Sequence, residues 1–296
     1  MNNPHKGRLT AAIAILGMSL SGGANALVLS GASSGYAAYV DLATLADPVL
    51  SLHVSPIPMG AGGTAPAPYS RYDEVRSLNA GDSVCLTSVL GICTGSLGAT
   101  VDTGLLTGRS DSDVDGGVGV RFASATGTVN DAAVNMGTGS LLGLIGTSLF
   151  SLSATTLSAS ALVSGDYGGF SATGSSVIEG ASLQVAGLDL ITLAADAAPN
   201  TVVDPLGALS LLGLTVVLNE QLSSCGAETC SIAVNVLRLS FDDFALGSAL
   251  LNGDIVFGHA EAGLAASPVP VPAAAWLFGS GLAGLAGLAR RGRRRV

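Results

Sequence analysis

Small polar and apolar residues alternate with period two through much of the chain. Leu149-Phe-Ser-Leu-Ser-Ala-Thr-Thr-Leu-Ser-Ala-Ser-Ala-Leu-Val163 alternates over most of its length, and Ser175-Ser-Val-Ile-Glu-Gly-Ala-Ser-Leu-Gln-Val185 does likewise. Each predicts a strand with one buried and one solvated face. Further strands are predicted at Gly35 to Leu42, Gly119 to Val129, Leu214 to Leu218, Ile232 to Leu239 and Asp254 to Gly258. Asn252-Gly253, between two apolar runs, reads as a two-residue hairpin turn. Ser55 to Tyr69, with four prolines and three glycines, reads as a loop that could divide an N-terminal strand region from the main sheets. Gly139 to Leu149 fits a buried strand or a single helix, too interrupted by polar and small residues to cross a membrane. Strong helix formers are scarce between the chain ends. The expected class is all-β, an antiparallel sandwich or barrel-like body. A β-solenoid is the alternative, although no strict period supports it.

The two ends depart from this pattern. At the N-terminus, Lys6 and Arg8 precede an uncharged apolar stretch, Ala11 to Leu20, and Ala24-Asn25-Ala26 supplies small residues at the spacing signal peptidase requires. Residues 1–26 therefore read as a signal helix, with the mature protein starting at Leu27. At the C-terminus, Pro268-Val-Pro-Val-Pro272 forms a stiff extended segment. The 17 uncharged residues from Ala273 to Ala289 follow. As a helix they would span roughly 25 Å, the short end of a transmembrane length. Trp276 sits near one end, and Arg290, Arg291, Arg293, Arg294 and Arg295 close the other. Such a basic cluster stays cytoplasmic, which leaves the body outside. Gly279, Gly281, Gly284 and Gly287 favour close helix packing over permanent anchoring.

The tail resembles the PEP-CTERM sorting signal, in the variant written V-P-L-P-A-A-x-W-L-F-G-S-G. The resemblance rests on Val269, Pro270, Val271, Pro272 and Ala273, the following Trp276-Leu-Phe-Gly-Ser-Gly281 and the Arg cluster, in the family's order. Val271 stands where many members have Glu. The resemblance implies processing by an exosortase, a membrane cysteine transpeptidase, in a Gram-negative bacterium that makes exopolysaccharide. It implies transient inner-membrane anchoring and then the outer surface or extracellular matrix. A second resemblance runs through Pro199-Asn200-Thr-Val-Val203, Val216-Val-Leu-Asn-Glu-Gln221, Ile232-Ala-Val-Asn-Val-Leu237 and Gly253 to Gly263. These segments are similar to the choice-of-anchor P group of bacterial surface proteins. That similarity implies a β-rich body at the cell surface, and it offers no enzymatic chemistry to carry over.

Between the ends, residues 27–267 carry all 21 acidic residues of the chain against Arg71, Arg76, Arg109, Arg121 and Arg238, a net charge of −16. This surface repels phosphate backbones and argues against nucleic acid as a partner. Four cysteines allow three pairings. Cys85 with Cys93 and Cys225 with Cys230 are the favoured disulfides because each closes a short loop, and neither pair has a neighbouring histidine for zinc.

Catalytic signals are sparse. The body holds two histidines, His53 and His259, and no G-x-S-x-G elbow. His259 and Glu261 would share a face if they lie on a strand. Asp111, Asp113 and Asp115 followed by Gly116 begin like an EF-hand loop, but its twelfth position is Phe122, and Arg121 breaks a repeat-type calcium motif. Calcium is thus a candidate ligand beside the plainer reading of a solvated acidic turn. A hydrolase acting on polysaccharide through two carboxylates is a further alternative, opposed by the lack of any Trp in the body to hold sugar rings. The function expected from sequence is a non-enzymatic, structural or adhesive matrix protein linked to exopolysaccharide.

Overall fold

In the computed structural model, described residues are 27–45, 49–64, 66–89, 91–140, 145–267 and 278–285. The signal residues, Ala24 and Ala26 included, lie outside them. So do Val269, Pro270, Val271, Pro272 and Ala273, and the arginines from Arg290 to Arg295. Of the expected span, residues 278–285 are helical, and among the described residues no helix is long and apolar enough to cross a membrane. The chain divides into two compact units, one of which is Leu27–Ser267.

That unit consists of two antiparallel sheets. The seven-stranded sheet contains β1 (Leu27–Thr44), β2 (Ser51–Ile57), β3 (Gly60–Thr64), β13 (Thr201–Val202), β14 (Leu214–Cys225), β15 (Thr229–Leu246) and β16 (Ala249–Ser267). Its order is β13-β14-β15-β16-β1-β2, with β3 also on β1. The nine-stranded sheet contains β4 (Tyr69–Val75), β5 (Leu78–Val89), β6 (Ile92–Thr103), β7 (Leu106–Ser112), β8 (Arg121–Ser140), β9 (Ile145–Gly165), β10 (Ser171–Glu179), β11 (Ser182–Val185) and β12 (Ile191–Thr192). Its main path is β12-β11-β9-β8-β6-β5, with β10 on β9 and β7 joining β4 to β8. Both sheets are open, so the barrel alternative is not realised, and the antiparallel pairing rules out a parallel solenoid.

The inward faces of the two sheets share one core. At its centre the side chains are tiny: Ala37, Ala38, Ala123, Ala125, Ala159, Ala161 and Ala260 are all buried. A Cβ placed on Gly35 would lie 2.2 Å from the Thr126 carbonyl oxygen, and one on Gly127 would lie 2.1 Å from that of Tyr36. The sheets therefore meet backbone to backbone there, closer than the usual ~10 Å. Away from this point larger groups fill the gap. Phe150 of β9 packs edge-on against Phe241 and Phe244 of β15, at ring distances of 5.5 and 6.3 Å.

A crease crosses each sheet. In the seven-stranded sheet the ladders skip Ala37, Gly258, Val236 and Asn219 in one row, while the pairs on either side keep register. Gly258 and Asn219 have φ of 65° and 51°. Alternation changes phase at this row, so Ala37 and Ala38 are both buried, as are Val236 and Leu237. In the nine-stranded sheet the matching break runs through Asp131, with φ of 50°, and Gly180, with φ of 60°. There β10 ends and β11 begins, which splits the single strand expected over Ser175 to Val185. The creases let strands of 18 to 21 residues bend and still bury one face.

Other expectations need correction. Asn252-Gly253 is not a turn: β16 runs through it, and the β15–β16 turn lies at Gly247-Ser248. The glycine is needed because a Cβ would sit 1.9 Å from the Asp41 carbonyl oxygen. Asn252 bonds the backbone N–H and the carboxylate of Asp243, bridging an irregularity in β15. Ser55 to Tyr69 is not one loop but holds the end of β2 and all of β3. Both flank β1 on its outer side, where an N–H missing at proline costs no ladder bond. The strands β4 to β7 were not foreseen, because Asp, Ser, Thr and Gly mask their alternation.

If the close approach of the sheets is essential, Gly127→Val will lower stability by about 3 kcal/mol or prevent folding. Gly98→Ala, whose Cβ would find its nearest neighbours at 3.7 Å, will change it by less than about 0.5 kcal/mol. Urea midpoints of the two variants check this.

Candidate functional site

The crease decides what the outer face of the seven-stranded sheet presents. Cross-strand pairing sets outward residues in rows. Tyr36, His259, Asn235 and Glu220 form the row beside the crease, followed by Ser34, Glu261, Ala233 and Leu222, and then by Ala32, Gly263, Ser231 and Ser224. The last row is small and uncharged, and the row before it carries Glu261 and Leu222. The difference in height leaves an open groove of about 490 Å³, lined by Ala32, Leu222, Ser231, Ala233, Glu261 and Gly263 among others.

The tall row is a continuous polar network. The Asn235 amide donates to Glu220 Oε2 at 2.6 Å, which turns its Oδ1 toward His259 Nδ1, also at 2.6 Å. Only an N–H can meet an amide oxygen at that distance, so His259 carries a proton on Nδ1. Arg238 sits between Glu220, at 3.3 Å, and Asp254, at 3.2 Å. The His259 ring stacks on Tyr36 with centroids 4.3 Å apart and planes 16° from parallel. Its other nitrogen, Nε2, lies 3.9 Å from Glu261 Oε2, and Ser34 donates to Glu261 Oε1 at 2.6 Å.

These contacts set the charges. The His259 imidazole, with the Ser34 hydroxyl acting in the same direction, outweighs partial burial and holds the Glu261 carboxyl down to about 2. Burial, with the nearby Glu261 charge adding to it, pushes the Tyr36 phenol up to about 12. Glu261 thus stays ionised in the range where a general acid must hold its proton.

The acidic turn is built differently. Asp111 lies on β7, with Arg109 at 2.6 and 3.2 Å. Asp113 accepts the Phe122 backbone N–H at 2.6 Å, and Asp115 pairs with Arg121 at 2.8 Å and accepts Gly117 N–H. Each carboxylate has its own partner and the three do not converge. Among the described residues no group of three or more His, Cys, Asp or Glu is placed to hold a metal ion. The cysteines pair as two disulfides, Cys85–Cys93 across β5 and β6 and Cys225–Cys230 across β14 and β15.

The shared face of His259 and Glu261 was legible from their spacing of two. Asn235, Glu220, Arg238, Ser34 and Tyr36 were not, because Ser34 and Glu261 meet across 227 positions of sequence. No protein-family model, curated protein or solved structure matches the chain.

A carboxyl with a lowered native pKa adds stability above its unfolded value near 4.5, and that contribution is lost as pH falls toward about 2. Glu261→Gln will therefore unfold more easily at neutral pH, by about 1 kcal/mol once half-exposure is allowed for. The gap will close between about pH 4.5 and 2. Urea melts at several pH values read this directly, and a gap independent of pH would show that the ionised carboxylate is not its source.

Proposed function

We propose that the chain is an exported surface or extracellular-matrix protein with a structural or adhesive, non-enzymatic role linked to exopolysaccharide, its tail processed by an exosortase. The observation that carries the reading is the pairing of Leu27 with Ser267, the first and last residues of the compact unit. Both ends of the body leave one end of one sheet. A leader and a tail attached there can be removed without cutting into a strand. The order of motif, apolar stretch and arginines in the tail, and the segments similar to the choice-of-anchor P group, support the same reading.

Two disulfides fit an oxidising compartment outside the cytoplasm. In the chain-entropy picture each short loop contributes about 2 kcal/mol. The charge of the groove's carboxylate favours binding over proton transfer. On the outer face Glu220, Asn235, Arg238, Asp254 and His259 bond one another, and Glu261 meets Ser34 and His259.

Intact mass under non-reducing conditions, combined with fractionation of native cells, tests the proposal. The expected species begins at Leu27, lacks the arginine tail, carries two disulfides and lies outside the inner membrane. A full-length tail retained in the inner membrane would overturn exosortase processing. Thermal melting with calcium addresses the adhesin alternative through Asp111, Asp113 and Asp115. An unchanged midpoint at millimolar calcium is expected, because those carboxylates are already paired with Arg109, the Phe122 N–H and Arg121.

A further inference from the structure

We propose that the end of the sandwich remote from Leu27 and Ser267 is a docking surface for zwitterionic phospholipid, its loop-tip leucines entering the acyl layer. The ladders define that end. Thr44 pairs with Leu251, Leu246 with Ala249 and Leu214 with Phe241, and the Ala186 N–H donates to the Leu149 carbonyl. The β5–β6 tip lies there too, since Gly95 pairs with Ser140 and Ser140 with Ile145. A Cβ on Gly247 would meet the Thr138 side chain at 3.1 Å, so the two sheets end together. Along β1, 18 residues long, this end stands roughly 50 Å from Leu27.

Five connections expose apolar side chains here. They are Leu45 after β1, Ile92 at the β5–β6 tip, Leu190 before β12, Leu206 and Leu211 between β13 and β14, and Leu250 after the β15–β16 turn. Leu206 is fully exposed and Leu211 is 87% exposed. The loop that carries them is pinned by Leu209, which is fully buried and whose N–H donates to Asp204 Oδ1 at 2.8 Å. Leu206 is held at φ of 59°, unfavourable for a leucine, with its side chain in solvent. The β1–β2 connection is fixed as well. Thr44 Oγ1 accepts the Leu50 N–H at 2.9 Å, and the Leu45 N–H donates to the Leu250 carbonyl at 3.2 Å.

The chemistry of the tips selects the partner. All six are aliphatic, and residues 45–50, 89–92, 186–190, 203–213 and 247–250 contain no aromatic residue and no arginine or lysine. Protein interfaces are anchored by Trp, Tyr and Arg, whereas a fluid acyl layer takes up aliphatic side chains on separate tips without matching pockets. Asp189 precedes Leu190, Asp204 lies two residues before Leu206, and Asp242 and Asp243 lie shortly before the β15–β16 turn. Two copies meeting tip to tip would set these carboxylates against one another, and an anionic surface would repel them. The ammonium of a choline or ethanolamine headgroup meets them favourably. The surface goes beyond the exopolysaccharide-linked role and does not depend on how the tail is processed.

A tryptophan reporter in the full-length chain tests the surface. With Trp276, the only tryptophan, changed to Phe, Leu206→Trp places a fluorophore at the tip. On addition of phosphatidylcholine–phosphatidylethanolamine vesicles its emission will shift to the blue and fall at least about twofold with brominated acyl chains. Val177→Trp in the same background, on β10 and back from this end, will keep its aqueous emission even if the tail inserts. Leu211→Asp added to the tip reporter will raise the half-saturating lipid concentration at least about tenfold. Circular dichroism checks folding. Should Leu206→Trp unfold, Leu211→Trp carries the reporter and Leu190→Asp the charge. A tip reporter that stays aqueous at saturating lipid, equal quenching at Val177→Trp, or a stronger response to phosphatidylglycerol vesicles would each overturn the proposal. So would a lipid-independent blue shift that grows with protein concentration, which is the mark of self-association.

Discussion

The contact of Gly35 and Gly127 with the opposing backbone sets the geometry of the rest of the body. Where a Cβ would lie near 2 Å from a carbonyl oxygen of the facing sheet, no other residue fits. The two sheets are drawn together at that point, and the alanines around it follow from the narrow space. Apolar burial is then small per residue and is recovered by length, through strands of 18 to 21 residues that carry the core outward to the Phe150, Phe241 and Phe244 cluster.

Long strands twist, and two sheets pinned at their centre would diverge toward their ends. The creases relieve this. Each reverses the alternation once, so residues on both sides of Gly258 and Asp131 still face the core. On the outer face of the seven-stranded sheet the same reversal has a chemical result. It gathers Tyr36, His259, Asn235 and Glu220 in one row beside the unpaired positions, and a lower shelf of Ala32, Gly263, Ser231 and Ser224 lies beyond Glu261. Groove and polar network lie side by side next to one backbone irregularity.

Charge explains why the network is closed on itself. With 21 carboxylates against five arginines in the body, an exposed acid is ordinary, and an acid next to a cation is not. Arg238 serves both Glu220 and Asp254, and Glu261 draws on His259 and Ser34 instead. Through Glu220 and Asn235, the shared arginine is connected to the orientation of the imidazole.

The β class, most of the long strands and the local cysteine pairing were legible in the sequence, because alternation of side chains and short loop closure are local properties. The same local logic failed at Asn252-Gly253. A turn dipeptide there serves close approach to β1, and only the neighbouring strand reveals it. Spacing alone left Asp111, Asp113 and Asp115 open between a ligand set and a solvated turn, because it says nothing about the arginines and amides that meet their carboxylates. Tertiary structure alone decided the open sandwich, the creases and the row of Tyr36, His259, Asn235 and Glu220. These depend on pairings between strands far apart in the chain, and a period-two pattern states which residues share a face without stating which strand lies beside it.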